Sequence, residues 1–202
     1  MRPICLTIKL LYLLLAGALL CSCGGDDLEG TYYLSDEARE YMIDTTVTSF
    51  RMVDNHGLTD EFYLDGYIWY TLHHYFSEWG TEGDAFGETF GVAYMSSVND
   101  YSFMFVLRAN VGYTELDVEW NQRDRLTYNF KSGKVTYGVV PGIMFYDTMS
   151  VKGITYSNII EIDYSGRVTE IDDNTPVKTY ISGEKGLIKF IRKDNIVFER
   201  IE

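Results

Sequence analysis

Apolar and polar residues alternate with a period of two through much of this chain. In Tyr101 to Arg108, the side chains of Tyr101, Phe103, Phe105 and Leu107 fall on one face. Successive side chains of a strand point to opposite faces, so this stretch predicts a strand with one side on a core. Leu116, Val118 and Trp120 alternate with Glu115, Asp117 and Glu119, which predicts a half-buried strand with a wet acidic face. Leu126, Tyr128 and Phe130 alternate with Thr127, Asn129 and Lys131 in the same manner. One short helix precedes these strands. Ser35 suits its N-cap, and Asp36 and Glu37 suit the positive end of its dipole. Leu34, Ala38, Tyr41 and Met42 would line its inner face at helical spacing.

Turn residues punctuate the strands. Asp54 to Gly57, Asn99-Asp100, Asn121 to Asp124, Ser132-Gly133, Lys152-Gly153, Ser165-Gly166 and Asp194-Asn195 each separate two strand-like runs. Asn, Asp and Gly supply the positive φ and local hydrogen bonds that tight hairpins require. The fold expected is mainly β: a single antiparallel meander whose long sheet curls into a barrel, a lipocalin-like half-barrel or a sandwich.

The N-terminal stretch breaks the alternation. Arg2 and Lys9 are followed by Leu10 to Leu20, a run without charge. It is shorter than the ~20 residues a membrane-spanning helix needs and has the flanks of a secretory leader. All three cysteines lie in the first 23 residues: Cys5 ahead of the run, Cys21 and Cys23 just behind it. Leu20-Cys21-Ser22-Cys23 resembles the lipobox of bacterial lipoproteins. That resemblance implies cleavage before Cys23, a diacylglycerol thioether on its sulfur and acylation of the new amine. The mature part then holds no thiol, which removes disulfides, zinc-cysteine sites and cysteine nucleophiles.

Residues 1–22 are therefore expected to be a signal peptide, 23–30 a lipidated, flexible acidic tether, and 31–202 a single β-rich domain. The seven residues Gly24 to Gly30 span about 15 Å as a Gly-rich coil. Asp26, Asp27 and Glu29, directly after the cysteine, resemble the surface-export signal of lipoproteins from Bacteroidetes. A second resemblance lies in residues 146 to 202. Gly153, Tyr156, Asn158 and Tyr180, then a strand edge of Gly186, Leu187, Ile188, Lys189 and Phe190, are similar to the closing segment of uncharacterised lipoproteins of that group. These likenesses imply an outer-membrane address, on the cell surface or the periplasmic face, and bring no activity with them.

Charge narrows the partners. The chain has 17 basic and 30 acidic residues; with Arg2 and Lys9 in the leader, the mature part has 15 against 30, a net charge of −15. No basic run appears, which argues against nucleic acid and against electrostatic attachment to anionic lipid. Membrane contact is expected through lipidated Cys23 alone, and a glycan, an apolar ligand or an envelope protein is left as partner.

Candidate chemistry is sparse. His73 and His74 are adjacent in a strand and would face opposite ways; His56 sits in a turn; no His pair has metal-binding spacing. No nucleophile elbow is present. The loop Glu78 to Glu88 gathers acids, glycines, Trp79 and Phe86, and reads either as a connection or as a set of oxygen ligands for calcium off the EF-hand spacing. No cofactor is implied and no enzyme is expected. Among 17 Tyr, 11 Phe and 3 Trp, the residues singled out for a binding surface are Trp69, Tyr70, Trp79 and Trp120, with core packing as the alternative for each. Two readings stay open. One is a non-enzymatic binding or structural lipoprotein with a filled core. The other is a carrier of a small apolar ligand, with a cavity lined around Phe103, Phe105 and Tyr128.

Overall fold

The computed structural model describes residues 30–75, 85–121, 124–137, 142–165 and 175–201. The chain divides into two compact units, Thr31–His73 with Phe86–Glu202, and Met1–Gly30 with His74–Ala85. Of the smaller unit only Gly30, His74, Tyr75 and Ala85 are described. The core and the sites belong to the larger unit.

The frame of that unit is one antiparallel sheet curled into a half-barrel. The strands are β1 (Gly30–Tyr32), β2 (Ser49–Asp54), β3 (Thr59–Tyr75), β4 (Ala85–Ser96), β5 (Ser102–Asn110), β6 (Tyr113–Trp120), β7 (Asp124–Asn129) and β8 (Lys134–Tyr137). They continue with β9 (Gly142–Val151), β10 (Ile154–Asp163), β11 (Pro176–Ser182), β12 (Gly186–Arg192) and β13 (Val197–Arg200). The spatial order is β8-β7-β6-β5-β4-β3-β2-β13-β12-β11-β10-β9, with β1 also pairing β4. Two meanders, β2–β8 and β9–β13, are thus joined by β13 against β2, where Phe198 lies opposite Asp54 and Arg200 opposite Met52.

The hairpins follow the turn chemistry. Lys152 and Gly153, at φ 50° and 79°, carry the positive dihedrals of the two-residue β9–β10 turn. Asn195 supplies φ 64° between β12 and β13. Gly183 has a different role: a Cβ there would sit 2.1 Å from the Glu40 carbonyl oxygen, so only glycine lets the β11–β12 turn press on the segment after the helix.

The concave face is filled. Phe90, Val92, Phe103, Phe105, Leu107, Leu116, Val118 and Trp120 are fully or almost fully buried there in one cluster. The short helix α1 (Asp36–Arg39) and its flanks contribute Leu34, Ala38, Tyr41 and Ile43 to the same cluster. Ser35 caps α1 as expected, its Oγ accepting from Ala38 N at 3.3 Å. Phe50, Phe62 and Phe190, with Phe198 stacked on Phe190 at 4.6 Å, bring the second meander into the same interior. Arg200 also lies inside, its guanidinium 4.4 Å over the Phe50 ring, and burial lowers its pKa.

Rings link the two ends of the strand order, from β9 to β7 and the turn that follows it. Phe145 of β9 lies 5.4 Å from Tyr128 and 6.3 Å from Phe130 of the first meander, and 5.6 Å from Tyr41. Aromatic packing therefore spans the interval between the ends of the half-barrel.

Three expectations change. The outer face of β6 is not uniformly wet, because Asp117 is 1 % exposed and enclosed by Arg108, Arg125 and Thr127. Ala85 to Glu88 belong to β4 rather than to a loop. The Gly186 to Phe190 segment is no sheet edge, since β12 lies between β11 and β13.

Candidate functional site

Three hairpin turns meet at one end of the half-barrel: β2–β3, β4–β5 and β12–β13. In the first, Oδ1 of Asp54 accepts from His56 N and Leu58 N, both at 2.8 Å, which folds the turn back on itself. Asp60, one residue into β3, accepts from Ser96 Oγ at 2.6 Å, Asn99 Nδ2 at 2.7 Å and Ser97 Oγ at 3.5 Å, tying the first turn to the second. In the third, Arg192 donates to Asp194 at 2.5 Å. Burial raises the pKa of the Tyr101 phenol near this end, and Arg192 beside it partly offsets the rise.

Between the turns lies a cleft of about 210 Å³. Leu58, Val98, Ile196 and Phe198 form its apolar walls; Asp54, Thr59, Asp60, Asn99 and Arg192 supply the polar groups. Leu58 and Val98 are 70 % and 72 % exposed, whereas Asp54 and Asp60 are 5 % and 2 % exposed. The rim is thus apolar and open, and the carboxylates sit below it.

The opposite end is organised by Glu88. Its buried carboxylate accepts from Leu34 N at 2.6 Å, from Arg39 Nη2 at 2.7 Å and from the Tyr70 hydroxyl. One side chain on β4 thereby fixes the residue before the α1 cap, the last residue of α1 and a residue of β3. Each donor closes a lone pair, and the arrangement serves as a clamp on the segment that enters the barrel.

Two further buried carboxylates lie on the convex face. Asp117 takes hydrogen bonds from Arg108, Arg125 and Thr127. Glu161 takes Lys178 at 3.1 Å and the Tyr146 hydroxyl at 2.9 Å, which raises the pKa of that phenol. Among the described residues, no group of three or more His, Cys, Asp or Glu is placed to hold a metal ion.

The residues singled out from sequence scatter. Trp120 is wholly buried in the core and gives its indole N–H to Thr179. Tyr70 is 57 % exposed, with its hydroxyl on Glu88, at the far end from the cleft. Cys23, Trp79 and the side chain of Trp69 lie outside the described residues, as does most of the Glu78 to Glu88 stretch. Sequence reasoning identified Asp54 to Gly57 only as a turn and missed Asp60 and Arg192. Asp60 meets Ser96 and Asn99 from 36 and 39 positions away, a distance no local motif signals.

No family model, no curated protein and no solved structure matches the chain.

Proposed function

We propose that the chain is a lipid-anchored lipoprotein of the cell envelope, held at the outer membrane through Cys23, whose β-domain is a non-enzymatic binding or structural module. The observation that carries this reading is the polarity of the half-barrel. The chain enters the larger unit at Thr31–Tyr32, and Leu34 is fixed to Glu88 of β4. The cleft opens beyond Ser96, at the other end of the same strand. Eight residues of β4 separate the two positions, about 26 Å at 3.3 Å per residue. An anchor seven residues before Gly30 would hold the first end at the bilayer and present the cleft outward.

The entry end also suits a lipid surface. Tyr33, Leu72, Val111 and Tyr113 are exposed there, and tyrosine is at home where an apolar phase meets water. Two or more acyl chains, at about 0.8 kcal/mol per buried methylene, would suffice for stable attachment.

The packed interior favours a binding or structural module over a carrier. Phe103 lies 5.1 Å from Trp120, Tyr128 lies 5.3 Å from Phe130, and Phe105 is fully buried, so the inward faces meet one another. The buried carboxylates of Glu88, Asp117 and Glu161 are each engaged by internal cations, which supports the non-enzymatic reading.

Membrane fractionation tests the anchor. Cys23→Ala releases the chain into the soluble fraction, and Cys21→Ala leaves it bound. Retention of Cys23→Ala with release of Cys21→Ala overturns the assignment.

A further inference from the structure

We infer that the hairpin-end cleft binds a primary ammonium group on a short aliphatic stem, the chemistry shared by a lysine side chain and a free alkyldiamine. The inference rests on the domain being a binding module, but not on the lipid at Cys23.

Size comes first. Pockets for drug-sized ligands run to about 300–1,000 Å³, so about 210 Å³ takes a group of a few heavy atoms rather than a whole lipid or oligosaccharide. The walls come next. Leu58, Val98, Ile196 and Phe198 offer a methylene stem an apolar channel leading from the open rim inward.

Charge selects the head group. Asp54 and Asp60 line the cleft at 5 % and 2 % exposure, and among the described residues no lysine or arginine forms an ion pair with either. Arg192, the cation of the lining, is engaged with Asp194. A buried carboxylate outside any ion pair favours a cation that enters with its own aliphatic cover.

Hydrogen-bond capacity then separates ammonium from guanidinium. Oδ1 of Asp54 is occupied by two backbone N–H groups, and among the described residues no donor reaches its Oδ2. Oδ2 of Asp60 is occupied by Ser96 and Asn99, while its Oδ1 has only Ser97 at 3.5 Å. Each carboxylate therefore offers one oxygen, not the two-oxygen fork that a guanidinium matches. An ammonium, a compact charge with three independent donors, fits single oxygens.

The test is an amide-shift titration of the full-length, isotope-labelled chain in detergent micelles with butylammonium, butanol and butyrate. Butylammonium should shift the amides of Leu58, Asn99 and Ile196 saturably and bind about tenfold tighter than butanol, the ratio of one charge-assisted hydrogen bond. Asp54→Asn keeps an oxygen for the His56 and Leu58 amides and should weaken butylammonium about tenfold. Should that variant fail to fold, Leu58→Ser shortens an exposed wall and should weaken it about threefold. Adding 1,5-diaminopentane and a blocked lysine in parallel assigns the source, free amine or protein side chain, to the tighter of the two. Equal affinity for butanol and butylammonium, undiminished binding by a folded Asp54→Asn, or saturable shifts confined to other residues overturns the inference. So does the absence of any saturable shift; a glycan or protein partner then found on the same chain would leave the binding-module reading standing.

Discussion

Trp120 gives its indole N–H to Thr179 Oγ1 at 2.9 Å, both side chains fully buried and 59 residues apart. The bond crosses the interior from β6 of the first meander to β11 of the second. Trp120 also lies 5.1 Å from both Phe103 and Phe190, so the two meanders meet on its ring.

Trp120→Ala should therefore cost about 3–5 kcal/mol, the range for deleting a large buried aromatic. Thr179→Val keeps the volume but orphans the indole N–H, and should cost about 1–3 kcal/mol. Urea unfolding with unchanged m-values checks both.

Glu88→Ala removes the clamp on Leu34 and Arg39. Arg39 is 37 % exposed and can turn to solvent, so the loss should be about 2–3 kcal/mol, below that of a wholly buried pair. Hydrogen exchange should accelerate in residues 34–44 before it does in β10–β12.

Phe145→Ala opens the aromatic span from β9 to Tyr128 of β7, Phe130 and Tyr41. Three ring contacts disappear, and the expected cost is about 2–3 kcal/mol, because Phe145 is partly exposed. Amide protection should fall along β7 and β9 first, with the β2–β13 junction unaffected.

Acid should destabilise the fold through Asp163 and Glu199. Burial pushes the Asp163 carboxyl up, but Lys178 at 2.8 Å and the Ser165 amide outweigh it and leave its pKa below the usual value. Burial likewise pushes Glu199 up, and Lys189 at 3.0 Å with Lys152 at 3.4 Å outweighs it. A carboxylate with a lowered folded pKa stabilises the fold above its unfolded value, near 4, and the contribution disappears as pH falls through the folded value. Urea midpoints should drop below about pH 4, and Glu199→Gln should shrink that drop while lowering stability at neutral pH.

The strands between Tyr101 and Phe130 were legible because their alternation is local and each faces core on one side only. The α1 cap was legible for the same reason, since Ser35 and Ala38 are three residues apart. Long-range pairings were not. Nothing near Asp54 announces that Phe198 will lie opposite it, and that pairing joins the two meanders. Glu88 stood in an acidic, glycine-rich stretch that suggested a connection, yet its partners Leu34 and Arg39 come from about 50 residues upstream. Asp117 had the alternation of a wet position and was enclosed by two arginines from neighbouring strands. The cleft combines three turns that local pattern identified singly and could not bring together.

The orientation of the domain on a bilayer is the most direct test of the proposed attachment. A fluorophore is placed at Val98→Cys beside the cleft or at Val111→Cys at the entry end, on the full chain in liposomes with brominated lipid. An anchored entry end gives strong quenching at position 111 and little at position 98. Equal quenching at both, or stronger quenching at position 98, contradicts that orientation.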